Sequence, residues 1–535
     1  MRLVGKRSGA EALVEALERA GTEVVFGYPG ANIVDVFDRL RTAKFRFVLG
    51  RHEQGCTHMA DGYARATGRP GVVVVTSGPG ATNAITGLAT ANVDGVPMVL
   101  ISGQVPLSQI GTDAFQEADM TGICRAATKH SFLVKSADEI PETVAQAFYI
   151  ATHGKPGAVV IDVPKNVQEE LTAAQYPERI SLRAYHPEHA ASTTQVNRLA
   201  KYLNEARRPV IYAGGGVIAA NAAKDIAALA KRAGIPVATT LMGIGSFDEN
   251  DPLSLGMAGM YGTSAANAAL ASADVIIALG VRFNDRVTGD LGSGTRDWGF
   301  GIRRRGRKIV HVDCDPSSID KNVTVDLGIV ADIKDLLTTV NSRVKPNERT
   351  AWGAKIAAWK KEDAASRDVA PCRRRGILPR HIVESIYHAT KGMALLVADV
   401  GDHQMACARN FRHSHPRHFL SSGGMGTMGF ASPAAIGAAI AKPDHTVVAV
   451  VGDGGAQMTS EELIVAVEQK LPITFVVMNT RALGMVNTPI VSPDFVKLAQ
   501  AHGMKGVRVS DSKKLDAAIA KAIKAKGPVL VEVRT

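Results

Sequence analysis

No apolar run in this chain reaches the roughly 18 residues that a membrane-spanning helix needs, which argues against an integral helical membrane protein. Cysteine is scarce. Cys56, Cys124, Cys314, Cys372 and Cys407 are scattered without metal-ligand spacing, so neither a zinc ribbon nor a disulfide framework is expected, and a reducing cytosol is. No signal or transit peptide is visible, because the N-terminus moves straight into an amphipathic pattern at Ser8-Gly9-Ala10-Glu11-Ala12-Leu13-Val14. Base-stacking aromatics are also missing from the two basic runs, Arg303-Arg304-Arg305-Gly306-Arg307 and Arg373-Arg374-Arg375, which carry much of the net charge of +11. Without them the runs read as solvated loops, not as a nucleic-acid surface.

What is present is glycine. The 52 glycines and the low aromatic share of 5% fit an α/β protein with many strand-to-helix turns. At 535 residues the chain is too long for one core, and three or four domains are expected. Three blocks of alternating strand and helix signals can be read, each of the doubly wound parallel-sheet type. The first spans 1–170, with strands at Val72–Val75, Met98–Ile101 and Ala158–Ile161. The second spans 190–340, with strands at Val210–Ala213, Val275–Leu279 and Lys308–Val312. A linker at 341–375 leads into the third, 376–535, with strands at Ala394–Val397, Thr446–Val451 and Thr474–Met478. Continuous apolar strands of this kind belong to parallel sheets covered on both faces. Ligands of such sheets bind beyond the carboxyl ends of the strands.

Gly452-Asp453-Gly454-Gly455 directly follows one such strand, and a helix and a second strand ending at Asn479 complete the unit. That unit brings two strand ends to one sheet edge, where Asp453 can hold a hard cation and Gly454 lets backbone approach a diphosphate. A simple turn is the plainer reading of the tetrapeptide alone. Arg51-His52-Glu53-Gln54-Gly55 follows the apolar segment Phe47-Val48-Leu49. A carboxylate entering an apolar interior has its pKa raised and suits proton exchange with a heterocycle nitrogen; the plainer reading is a capping or ion-paired glutamate. Thr76 to Asn83 is another strand end opening a helix, a position that favours anions.

Gly27-Tyr28-Pro29-Gly30, Arg51-His52-Glu53, Ser77-Gly78-Pro79-Gly80, Thr112 to Glu117, Leu241-Met242-Gly243, Gly280 to Gly289, Gly426-Thr427-Met428-Gly429 and Gly452-Asp453-Gly454 occur in one order along the chain. In that order they resemble the catalytic subunits of acetolactate synthases, over nearly the whole length. The resemblance implies a thiamine-diphosphate enzyme that decarboxylates pyruvate and joins the remainder to a second 2-oxo acid. It implies Glu53 as activator of the aminopyrimidine ring, Phe115 and Gln116 as lining of the reaction chamber, and Arg282 as a grip on the acceptor carboxylate. Tyr28, Pro29, Gly30, Gly426, Met428, Gly452, Gly454 and Gly455 would contact thiamine diphosphate. Asp453, Thr480 and Ala482 would hold Mg²⁺. Gly214, Gly215, Gly216, Leu241, Met242, Gly243, Gly259, Arg286, Asp313 and Asp332 would hold FAD, largely as a structural group. The resemblance also implies a homodimer or homotetramer with active sites between subunits, a separate small regulatory subunit, and a cytoplasmic setting.

Three departures from that pattern stand out. Asn479-Thr480 replaces a pair of asparagines, the second of which supplies a metal ligand in the family. After Leu483-Gly484-Met485-Val486 the chain runs Asn487-Thr488-Pro489-Ile490-Val491 and rejoins the pattern at Ser492, about a dozen residues short of the family's covering segment. The sequence stops at Val533-Arg534-Thr535, where the family continues into a tail over the cofactor. A more open chamber is expected. Two alternatives to the family reaction stay open on this ground: a related carboligase or decarboxylase with another acceptor, and a catalytically weak paralogue serving in an assembly.

Overall fold

The computed structural model describes residues 5–288, 306–369 and 376–535. Gly289, Arg303 to Arg305, Cys372 and Arg373 to Arg375 lie outside the described residues. Three six-stranded parallel sheets carry the fold. The first holds Val24–Tyr28, Arg46–Leu49, Gly71–Val75, Met98–Gln104, His130–Leu133 and Ala158–Pro164. Numbered along the chain, its strands lie in the order 2-1-3-4-6-5. The third holds Leu395–Ala398, Phe419–Ser421, Val447–Gly452, Ile473–Asn479, Lys505–Val509 and Val529–Arg534, in the same order. The middle sheet differs. Its strands Pro209–Ala213, Val237–Thr239, Ser254–Met257, Val275–Leu279, Lys308–Asp313 and Leu327–Val330 are arranged 3-2-1-4-5-6, the order of dinucleotide-binding sheets.

The apolar runs read from the sequence form the central strands of each sheet, and their side chains fill the cores on both faces. Edge strands such as His130–Leu133 and Lys505–Val509 mix apolar with polar or charged residues and are only part-buried. The first and third domains meet through two helices, Glu53–Thr67 and Ala431–Ala441. Their backbones touch: a Cβ at Gly62 would lie 2.0 Å from the Ala434 carbonyl oxygen, and one at Gly437 1.8 Å from that of Met59. One hydrophobic core therefore runs through both domains.

All three domains meet at a buried ion cluster. Arg65, wholly inside, bonds Asp61 at 3.3 Å, Asp94 at 3.0 Å and the Ser421 carbonyl at 3.0 Å. Asp94 also accepts from the Gly423 amide at 3.0 Å and faces Arg282 at 3.4 Å. Arg417 makes a second three-way tie, donating to the carbonyls of Arg65 and Ile218 and to the Asn221 side chain. One expectation needs correction: Arg307, read as part of a solvated loop, is buried. Its guanidinium donates to the carbonyls of Ala271 and Ala273 at the end of helix Ser264–Ser272, where a cation complements the unpaired carbonyls.

Candidate active site

Both terminal sheets reverse direction between their first and third strands, and the crevice at each reversal gathers the residues singled out above. In the C-terminal domain the two strand ends bear Asp399 and Asp453, both buried. Asp399 accepts the amides of Val400 at 2.9 Å and Gly429 at 3.0 Å, and burial raises its carboxyl to about 7 despite those bonds. Asp453 opens a short helix to Met458. It accepts the Arg481 amide at 2.6 Å and the Ser492 hydroxyl at 3.1 Å. The Thr480 hydroxyl donates to the Ala482 carbonyl at 2.8 Å. The structure thus gathers Asp453, Thr480 and Ala482 around one strand end and adds Ser492, which the short connection from Asn487 brings in.

His403 lies across the same crevice, buried and with its Nε2 unpartnered. A Cβ on Gly452 would fall 2.8 Å from its ring, so glycine is needed for this approach. Burial lowers the imidazole to about 4 and keeps it neutral. Over Gly454 converge Leu483, Met428 and Ile490. The connection itself is a minimal hairpin, Ala482–Leu483 paired with Thr488–Pro489, whose Val486 and Val491 stay exposed. Asp399, His403 and Ser492 were missed in the sequence. A signal existed for Asp399, which ends an apolar strand just as Asp453 does.

In the N-terminal domain Glu53 begins helix Glu53–Thr67 and is buried. The Asn83 amide donates to its Oε2 at 3.0 Å. Its Oε1 lies over Gly80, where a side chain would come within 3.1 Å. Gly30 packs on Thr76 and Gly78 on Gln116, so Tyr28, Pro29, Gly30, Glu53 and Gln116 share this sheet end. Phe115 stands apart at 85% exposure, and Tyr28 is half-exposed.

The middle sheet borders a cavity of about 1130 Å³ between the domains. Gly215, Gly216, Leu241, Met242, Arg282, Arg286, Asp313, Asp332 and Gly426 line it; Glu53 and Asp453 do not. Gly214 serves packing, since a Cβ there would lie 2.0 Å from the Gly280 carbonyl oxygen. Gly243 packs in the same way on Ala213, and Gly259 on Arg286. Asp332 caps helix Ile333–Asn341, and burial raises the Asp313 carboxyl to about 6. Arg282 faces the cavity, but its guanidinium also bonds the Val93 carbonyl and approaches Asp94.

Comparison with known proteins supplies the frame for these three sites. Residues 7–123 match the N-terminal TPP binding domain of thiamine pyrophosphate enzymes, 196–340 their central domain, and 399–533 their C-terminal TPP binding domain. The acetolactate synthase large subunit of Haemophilus influenzae is 41% identical over 98% of this chain and 94% of its own length. The chain belongs to the acetolactate synthase family. The isozyme 3 large subunit of Escherichia coli is 42% identical over 96% of this chain and 92% of its own length. The mitochondrial catalytic subunit of Saccharomyces cerevisiae is 41% identical over 98% of this chain and 80% of its own length.

The two outer domains, which share a strand order, are thus the ones that match TPP binding domains. Cys56, Cys124, Cys314 and Cys407 are free thiols. Among the described residues no helix is long and apolar enough to cross a membrane.

Proposed function

We propose that the chain is a thiamine-diphosphate-dependent carboligase that decarboxylates pyruvate and joins the product to a second 2-oxo acid, giving acetolactate or a related acetohydroxyacid. The observation that carries this reading is identity above 40% with acetolactate synthases over 94–98% of the chain. Bound thiamine diphosphate supplies a thiazolium ring able to accept the electron pair released with CO₂. The chain must handle protons, anchor the diphosphate and exclude water. Glu53 suits the first task, being buried with one oxygen fixed by Asn83 and the other kept clear by Gly80. For the second, the unpaired His403 nitrogen and the glycine approach at Gly452 form a cradle fit for a diphosphate.

Asp453, Thr480 and Ala482 offer a carboxylate, a hydroxyl and a carbonyl, the hard oxygens that Mg²⁺ takes together with phosphate and water. Ser492 adds a second hydroxyl. The middle domain suits FAD: its strand order, its glycine turn and a cavity of about 1130 Å³ match a dinucleotide in shape and size. Phe115, Val486 and Val491 leave apolar surface beside the crevices, which a second copy of the chain would cover, so a homodimer with shared active sites is the working assembly. A small regulatory partner fits the large-subunit names of the relatives, and a reducing cytoplasm fits the free thiols.

The test is a pyruvate assay on purified protein with thiamine diphosphate, Mg²⁺ and FAD, quantifying acetolactate and acetaldehyde. Acetolactate is expected as the main product. Acetaldehyde alone would show that the short hairpin lets water intercept the reaction, and no turnover with cofactor bound would overturn the reading.

A further inference from the structure

The helix that begins at Glu53 is held from another domain. His52 caps it, its ring accepting the Gln54 amide at 3.1 Å. The amides of His52 and Arg51 themselves donate to Glu462 of the C-terminal domain, at 2.9 Å and 3.1 Å. Glu462 is wholly buried. Gly55 lies against the same carboxylate, and a Cβ there would fall 2.0 Å from Glu462 Oε1. On either side, Arg51 pairs with Glu468 at 2.7 Å and Arg46 bonds Gln469. One segment, Ser460 to Gln469, therefore grips residues 46, 51, 52 and 55, which bracket Glu53.

We propose that Glu462 is a positioning residue for Glu53: by accepting the amides of Arg51 and His52 it fixes the first turn of that helix, and so the aim of the Glu53 carboxylate, relative to the C-terminal domain. The inference rests on the reading of Glu53 as the proton-handling group. A merely structural cap at this place would not need a charge, since burying a carboxylate is costly and a neutral side chain can accept from an amide. Here burial, with Glu461 nearby, raises the Glu462 carboxyl to about 7, against the pull of the two amides and of Arg51. Cys56 faces it from the helix, and Glu468 pairs with the neighbouring Arg51 guanidinium.

Its charge therefore changes around neutrality. Ionised, it accepts with both oxygens; protonated, one oxygen becomes a donor, but the burial that raises the carboxyl makes the ionised form the costlier one to keep enclosed, so opening of the segment is favoured as pH rises through about 7. Folding responds with the same sign. With a folded pKa above the ordinary 4.5, this group's contribution to stability is full below 4.5 and is lost as pH rises through about 7.

The experiment uses E462Q, which keeps one acceptor and removes the charge, and G55A, which pushes the carboxylate aside without altering it. In apo-protein, backbone hydrogen exchange of the segment 50–58 is followed across roughly pH 5.5 to 8.5. Wild type should lose protection as pH rises through about 7, after correction for intrinsic exchange; E462Q should show a flat profile and G55A low protection throughout. In the loaded protein, hydrogen–deuterium exchange at the reacting carbon of thiamine diphosphate should slow at least about tenfold in both variants. E462Q should also lose the decline in stability between 4.5 and about 7. Wild-type protection profiles and exchange rates in E462Q and G55A would overturn the inference, and G55A alone decides it if E462Q does not fold. E53Q separates the two readings. If E53Q exchanges the cofactor carbon slowly while E462Q and G55A do so normally, only the positioning role falls; if E53Q is normal, the reading of Glu53 falls and takes the inference with it.

Discussion

The first and third sheets share one strand order, yet their crevices hold opposite chemistry. The N-terminal crevice has the buried carboxyl of Glu53, set near Tyr28, Pro29 and Gly80 and steadied by a neutral amide. The C-terminal crevice has two buried aspartates tied to backbone amides, a neutral histidine with an unpartnered nitrogen, two more oxygens just past the end of Ile473–Asn479, and the Ser492 hydroxyl on Asp453. Topology decides where a ligand can sit, and the side chains at the strand ends decide what it can be. One crevice suits an aromatic ring that exchanges protons; the other suits a cation and a diphosphate.

That division of labour is broken most directly by exchanging losses between the two crevices. E53Q should cost about 10²–10⁴-fold in turnover, the range of a positioned acid–base group, with cofactor affinity and melting temperature nearly unchanged. D453N should do the reverse, weakening Mg²⁺-dependent cofactor binding while leaving much of the turnover at saturating cofactor and metal. Steady-state kinetics and calorimetric cofactor titrations on both variants check this. Loss of affinity in E53Q with full turnover would show that the crevices do not divide the work in this way.

The tie between the domains comes next in size. Arg65 joins Asp61 and Asp94 to Ser421, and Asp94 in turn holds the Gly423 amide beside the large cavity. R65M leaves two buried carboxylates without their main cation, which should cost about 3–5 kcal/mol. Denaturant unfolding measures it, and a loss under about 1 kcal/mol would mean that the cluster adds little to the join.

Much of this was legible in the sequence, for definite reasons. Val275–Leu279 was read with its observed bounds because a strand buried on both faces leaves an unbroken apolar run. Asp453 could be placed because a strand–helix–strand unit returns its ends to one edge, whereas Thr480 and Ala482 joined it only through the family resemblance. The edge strands were not legible: Phe419–Ser421 is three residues long, and Lys505–Val509 faces water over most of its length. Glu462 and Asp94 were not legible either. Their partners lie hundreds of residues away, and no local pattern encodes that Glu462 meets the amides of Arg51 and His52. Arg307 was misread because a basic run looks solvated until a helix end is found beneath it.

The smallest expected effect lies at Thr480, one of the three departures from the family pattern read in the sequence. The Thr480 hydroxyl is turned onto the Ala482 carbonyl at 2.8 Å and accepts the Ala482 amide at 3.2 Å, closing a tight ring beside Asp453. In that state the hydroxyl proton and the carbonyl oxygen satisfy each other. Each oxygen keeps a lone pair for a cation, but the ring fixes where that lone pair points. Asparagine reaches one atom further and offers a carbonyl that needs no proton rearranged, so T480N should lower the Mg²⁺ requirement for cofactor binding by up to about tenfold, the lower end of what neighbouring ligand changes produce. A Mg²⁺ titration of thiamine diphosphate binding reads the effect without turnover. An unchanged requirement would mean that Thr480 stays folded onto Ala482 when the metal is bound. The cation would then rest on Asp453, water and the diphosphate alone, and the two crevices would differ by a single carboxylate rather than by a built oxygen cage.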